Sequence, residues 1–320
     1  MQGESRMFID GELVDAISGN HFPNINPATE EIIGEVADAG PEEAERAIAA
    51  ARRAFDESSW SRDHEFRRKC LGQLREGLSK EKGQLRKQVI AEVGAPMQLT
   101  YGPQCDSVIN DLAWVTGMME NYAWDQNLGS HNFFGIQSDR LVWKEATGVV
   151  AAITPWNYPL QVELAKVGPA LAAGCSVILK PAPDTPWCGT FLGRVAKEYT
   201  DIPPGVFNVI TSSHPSEVGS LLTTDPRVDL ISFTGSTAVG AQIMATAAPT
   251  IKKVFLELGG KSANIILDDA DFDRVIPTAT MVCIHAGQGC AMQTRLLLPR
   301  SRYDEGVEQL IAAFQNIKYG

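Results

Sequence analysis

Apolar and polar positions change rhythm twice along this chain. The opening stretch sets short apolar pieces, Met7-Phe8-Ile9 and Ile32-Ile33, among turn signals at Asp10-Gly11, Ser18-Gly19-Asn20 and Asn26-Pro27. Short strands joined by turns are expected there. From Pro41 the spacing becomes helical. Ala47, Ile48, Ala51, Ala54 and Phe55 share a face, Pro41 suits a first helical position, and Glu42, Glu43 and Glu45 favour the positive end of the dipole. The pattern predicts a helix to about Phe55 and further helices over 62–79, 82–93 and 104–124, with Gly94 capping the one that ends at Val93.

From Leu141 the rhythm changes again. Gly148 to Ile153 and Ser176 to Leu179 are continuous apolar runs of the kind buried on both faces of a parallel sheet, and a helical stretch from Val162 to Ala173 lies between them. The alternation repeats through Val206–Ile210, a helix around 215–223, Leu230–Phe233, a helix from about Ala238, and Val254–Glu257. Leu296–Leu298 reads as a further strand and Tyr303–Ile317 as a further helix. Several parallel strands on one sheet imply an α/β domain of the nucleotide-binding type, with ligands at the carboxyl ends of the strands.

Composition narrows the partners. The formal net charge of −11 and pI near 5.0 argue against broad affinity for nucleic acid or anionic membrane, which needs clustered Lys and Arg. The apolar stretch Val167–Leu179 is interrupted by Gly168, Pro169 and Gly174 and is too short to span a bilayer. The N-terminus carries Glu4, Arg6 and Asp10 without an apolar run, so a cytoplasmic location is expected. Six cysteines occur without a C-x-x-C pair, which indicates neither a disulfide framework nor a metal site; Cys175 and Cys283 are expected to be core filler.

The candidate chemistry sits where strands end. Gly259-Gly260-Lys261-Ser262 is no Walker motif, because Phe255 stands where its first glycine belongs, and no G-x-G-x-x-G or G-x-S-x-G occurs. Phe233-Thr234-Gly235-Ser236 follows a strand and opens a helix, either as a phosphate-facing turn or as a plain strand–helix connection. Lys180 ends a strand before Pro181 and is either aimed at a ligand or simply solvated. In Thr154-Pro155-Trp156-Asn157-Tyr158-Pro159 the flanking prolines immobilise Asn157, either as an oxyanion donor or as an Asx-type turn under a buried Trp156. Glu257 closes an apolar strand, where partial burial would strengthen a carboxylate as proton acceptor. Cys290 sits in Ala286-Gly287-Gln288-Gly289-Cys290-Ala291, where the nearby small residues let a substrate reach sulfur, though a lone cysteine is commonly core filler.

In this order these clusters resemble the aldehyde dehydrogenase superfamily, from Asn26-Pro27-Ala28-Thr29 to Gly320, with Cys290 placed 33 residues after Glu257. The resemblance implies a Rossmann-type parallel-sheet cofactor domain (1–124 and 147–257), an oligomerisation arm (125–146) and the first part of a second α/β catalytic domain (258–320). It makes Cys290 the nucleophile, Asn157 the oxyanion donor and Glu257 the base that activates water. It also assigns Ile153, Thr154, Pro155, Trp156, Lys180, Ala182, Pro183, Phe233, Thr234, Gly235, Ser236, Leu258 and Gly259 to an NAD or NADP site. The implied reaction oxidises a small-molecule aldehyde to a carboxylic acid. A CoA-acylating enzyme or a nucleotide- or partner-binding fragment is the alternative, and the presence of Glu257 favours hydrolysis over acyl transfer to CoA. No metal is implied. Pro183 stands where many NAD-preferring relatives carry Glu, so either cofactor is allowed. Relatives are about half as long again and form homodimers or homotetramers, so the chain is expected to lack a later catalytic segment and the strand that pairs across subunits.

Overall fold

The computed structural model describes residues 3–318, which divide into two compact units between Glu257 and Leu258. The first unit opens with strands β1 (Met7–Ile9), β2 (Glu12–Val14), β3 (His21–Ile25) and β4 (Ile32–Ala37), the last two forming an antiparallel pair of their own. Helix α1 (Pro41–Glu57) begins with Pro41 in its first turn, and the Glu43 carboxylate accepts from the Gly40 backbone N–H at 2.8 Å.

Where the spacing predicts two helices over 62–79 and 82–93, the structure has one, α2 (His64–Val93), capped by the Asp63 carboxylate on Phe66 N–H and ended by Gly94 at φ 68°. Nothing between Ser79 and Gly83 breaks it. Gly83 meets no neighbour and costs only about 1 kcal/mol against alanine, less than the packing of Leu74, Leu78, Leu85 and Val89 returns. The short α3 (Met97–Thr100) and α4 (Asp106–Asn121) follow, α4 stopping short of the expected 124. Then comes an exposed antiparallel hairpin, β5 (Asp125–Phe133) and β6 (Ile136–Trp143).

The α/β body follows: β7 (Val149–Ile153), α5 (Pro159–Ala173), β8 (Ser176–Lys180), α6 (Pro186–Tyr199), β9 (Phe207–Val209), α7 (Pro215–Thr224), β10 (Leu230–Gly235), α8 (Thr237–Ala247) and β11 (Lys253–Leu258). The sequence pattern above does not include α6. One seven-stranded sheet runs β11-β10-β7-β8-β9-β1-β2, with β10, β7, β8 and β9 parallel and β1 antiparallel to β9. Its α/β, parallel-sheet core is the expected fold class. The two strands beside β7 are β8 and β10: the chain steps outward from β7 to β8 and β9, then crosses back to place β10 on the other side of β7, and a crevice opens at that reversal. Gly148 enters β7 at φ 132°, where a Cβ would lie 1.8 Å from the Asp229 carboxylate; Asp229 accepts from Val149 N–H at 2.7 Å and from Arg52 at 2.9 Å.

The second unit holds β12 (Ala263–Ile265) paired in parallel with β13 (Arg295–Leu297), the short α9 (Phe272–Val275) and α10 (Tyr303–Gln315). Its buried core is Ile266, Phe272 and Ile276. Cys175 is buried as expected, but Cys283 is exposed, because it lies in the tight turns Ile276–Gly287, outside that small core. No helix among the described residues is long and apolar enough to cross a membrane.

Candidate active site

At the reversal of strand order a cleft of about 430 Å³ opens over the carboxyl ends of β7, β8 and β10. Ile153, Thr154, Pro155 and Trp156 form one wall, Lys180, Ala182 and Pro183 a second, and Phe233, Thr234 and Gly235 a third, with α7 and α8 closing the outside. Gly235 is required here, because a Cβ would meet the Phe233 ring at 2.4 Å. Ser236 does not line the cleft. It is the N-cap of α8, where its hydroxyl accepts from Val239 N–H at 3.3 Å.

Lys180 is not solvated. It is 2% exposed, and its ammonium donates to the Pro181 carbonyl at 3.4 Å. Burial pulls it down to about 8. Beside it the buried Thr154 hydroxyl has no hydrogen-bond partner among the described residues. A desolvated cation with unused donors and an orphaned hydroxyl in one cleft fit an oxygen-rich, anionic ligand, as a dinucleotide is.

Trp156 is 43% exposed, so the Asx turn under a buried tryptophan does not describe the loop. Asn157 is half-buried, and its backbone carbonyl accepts from Gln104 Nε2 at 2.9 Å. Glu257 is exposed rather than partly buried: along β11 exposure alternates, and Glu257 falls on the open face with Lys253 and Phe255. Lys166 of α5 reaches that face. Its ammonium lies 5.7 Å from the Phe255 ring centroid and donates to Ser232 Oγ at 3.0 Å. Burial lowers Lys166 to about 8, and the Glu257 charge opposes that fall. Lys166 and Gln104 were invisible in the sequence, since each meets its partners only through the fold.

In the second unit Cys290 is exposed. Just ahead of it His285, Ala286 and Gly287 take φ of 58°, 52° and 74°, a left-handed run that is costly at the two residues bearing a Cβ. The Gln288 side chain fastens this turn by donating to the His285 carbonyl at 2.9 Å. Leu258 ends β11 and Gly259 is exposed beyond it, both assigned to this unit.

The model of the aldehyde dehydrogenase family matches residues 13–320. The chain belongs to the aldehyde dehydrogenase family. Among its relatives in that family, 3-succinoylsemialdehyde-pyridine dehydrogenase of Pseudomonas sp is 39% identical over 318 residues, 98% of this chain and 64% of that protein. The mitochondrial succinate-semialdehyde dehydrogenase of Arabidopsis thaliana is 38% identical over 317 residues, 98% of this chain and 58% of that one. A solved betaine aldehyde dehydrogenase of Staphylococcus aureus in complex with NAD+ superimposes with a TM-score of 0.93 at 35% identity, covering 100% of this chain and 64% of that structure. This member of the family thus spans less than two thirds of the length of these relatives.

Proposed function

We propose that the chain serves an NAD(P)-dependent aldehyde dehydrogenase that converts an aldehyde to a carboxylic acid by way of a covalent thioester on Cys290. The observation that carries the cofactor half is the cleft, where a desolvated Lys180 ammonium and the orphaned Thr154 hydroxyl line a space of about 430 Å³ at the strand reversal. Ile153, Thr154, Pro155, Trp156, Lys180, Ala182, Pro183, Phe233, Thr234 and Gly235 would hold NAD or NADP, and Ser236, Leu258 and Gly259 belong to the same assignment through their place in the family motif. A nicotinamide bound there would accept the hydride. Relatives solved with NAD+, one of them also with octanal, support this reading.

In this reading the Cys290 thiolate forms a C–S bond to the carbonyl carbon, and the Asn157 amide and the Cys290 backbone N–H receive the oxyanion. After hydride loss restores the C=O as a thioester, Glu257 takes a proton from water. The hydroxide attacks, the C–S bond breaks, and the acid leaves with the thiolate regenerated. Residues 1–124 and 147–257 would form the cofactor domain, 258–320 would contribute to the catalytic domain, and 125–146 would join subunits of a homo-oligomer. The test is mass spectrometry and NAD(P)H formation with aldehyde. Cys290→Ala should bind cofactor yet form no product, and Glu257→Gln should stop after one equivalent with the acyl mass on the Cys290 peptide. Turnover within about tenfold of the parent in Cys290→Ala would overturn the proposal.

A further inference from the structure

Helices α4 and α5 leave one corner of the first unit side by side. The buried Gln104, in the turn that leads into α4, donates from Nε2 to the Asn157 carbonyl at 2.9 Å, and α5 begins two residues after Asn157, at Pro159. Farther along the helices touch, since a Cβ on Gly168 would meet Leu112 Cδ2 at 3.0 Å. A groove of about 310 Å³ runs along this seam, enough for a small organic ligand. It shares no lining residue with the cofactor cleft.

The walls of the groove follow from helical spacing. Gln161 and Ala165, four apart on α5, face it from one side, the first of them one turn after Asn157, and Asp111 and Trp114, three apart on α4, face it from the other. Leu112 and Leu164 are buried and give it an apolar floor. The lip is different. The exposed Asp111 carboxylate has neither ion pair nor hydrogen bond among the described residues, whereas Asp106 and Glu120 on the same helix are paired with Arg86 and Arg68. One turn on from Asp111, the Trp114 indole is 68% exposed. No Lys, Arg or His lines the groove among the described residues. A carboxylate beside an aromatic face, over an apolar floor, suits an alkylammonium group, which gains charge, ring and methylene contacts together. A ligand ending in a carboxylate would meet the Asp111 charge with nothing in the groove to offset it.

We propose that this groove binds a short aliphatic chain that ends in an ammonium group, and that the aldehyde oxidised is one with such a tail. From Gln161 to Pro169 the groove follows α5 for about 12 Å, so a few methylene groups bridge the Asn157 corner and the Asp111 carboxylate. The aldehyde half of the proposal rests on Asn157 as the oxyanion donor, as proposed above. The ammonium half does not.

Three alcohols of matched length test the ammonium half, because none offers a carbonyl for Cys290 to attack: trimethylammoniobutanol, its neutral tert-butyl isostere, and hydroxypentanoate. In calorimetric titration of the 320-residue chain, the cation should bind tighter than the isostere by about tenfold or more, with the carboxylate weakest, and saturating NAD+ should not displace it. Asp111→Asn should erase the difference between cation and isostere, Asp111→Lys should put the carboxylate ahead of the cation, and Trp114→Ala should cost the cation more than the isostere. Equal affinities in the parent, no binding of the cation, displacement by NAD+, or a cation preference that survives Asp111→Asn overturns the proposal.

The corresponding aldehydes, followed by single-turnover NAD(P)H formation, test the other half. Faster reaction of the trimethylammonio aldehyde than of its isostere at sub-saturating concentration, lost in Asp111→Asn, supports it. Product from all three aldehydes without that order, while the alcohols keep theirs, overturns the groove as the seat of the substrate. No product from any aldehyde, with the alcohols still ranked, overturns the thioester reading and supports the groove as an ammonium site in its own right.

Discussion

Among single residues, Pro183 bears most directly on which cofactor the proposed site would take. It lines the cleft near the buried Lys180 ammonium, in the place where a carboxylate would accept ribose hydroxyls and repel a 2′-phosphate. The nearest carboxylate in the cleft wall is one residue on, at the exposed Asp184. Pro183→Glu should therefore weaken NADP+ binding by about tenfold or more while leaving NAD+ binding equal or tighter, because a like charge a few ångströms from the phosphate costs on the order of 1 kcal/mol or more even when partly screened. Calorimetric titration of both cofactors checks it, and equal losses for the two would show that position 183 does not read the 2′ position. Trp156, Lys180 and Phe233–Gly235 line the cleft and stand at or just beyond the ends of apolar strand runs, so the pattern that finds a strand end also finds the cleft wall. Lys166 and Gln104 stand in helix α5 and in a turn, with partners 66 and 53 residues away, and no local pattern marks them.

At the scale of elements, α5 carries an unusual cost. Glu163 on its buried face has neither carboxylate oxygen hydrogen-bonded among the described residues, and burial, reinforced by the charge of Glu92 on α2, raises it well above the ordinary carboxylate range. Glu92 is better served. It accepts from Asn24 at 2.9 Å and from the Trp187 and Cys188 N–H groups at 3.0 and 2.8 Å at the start of α6, yet burial still lifts it to about 7. For both groups the folded chain binds the proton more tightly than the unfolded chain. Their contribution is complete below the ordinary value of 4.5 and is lost as pH rises, through about 7 for Glu92 and further for Glu163. Thermal melts from pH 5 to 9 should show stability falling with pH more steeply in the parent than in Glu163→Gln, by at most about 1.4 kcal/mol per pH unit. Parallel curves would mean that Glu163 finds a partner or water in solution.

The same region explains a gap in the pattern. Helix α6 escapes detection because Gly189 and Gly193 dilute its spacing, and both are needed: a Cβ would meet Pro181 at 2.8 Å in one case and Phe8 at 2.6 Å in the other. Helix α2 runs unbroken through residues 80–81, where the pattern predicts a gap, and Gly83 just beyond sits on an open face where it is merely tolerated. Local signals register glycine as a breaker; only tertiary contact distinguishes a glycine that permits close packing from one that is merely tolerated.

On the scale of the whole molecule the hairpin β5–β6 stands apart, because every residue of β5 is exposed and β6 is nearly so. A lone two-stranded ribbon is at best marginally stable in water. This one carries Phe133 at 62% exposure, Phe134 at 90%, Ile136 at 70% and Trp143 at 68%, a concentration of large apolar side chains that a solvated ribbon would not need. Under the proposed homo-oligomer these side chains would be buried between copies, each worth about 1.5–3 kcal/mol when fully removed from water. Sedimentation velocity over a range of concentrations should then show reversible association. Replacing Phe133 and Ile136 by Ser should weaken it by on the order of a hundredfold or more, while cofactor binding in the cleft is unaffected, since neither residue lines it. A parent chain that stays monomeric at high micromolar concentration, or a double variant that associates as strongly as the parent, would assign the exposed hairpin some other role than joining copies of this chain.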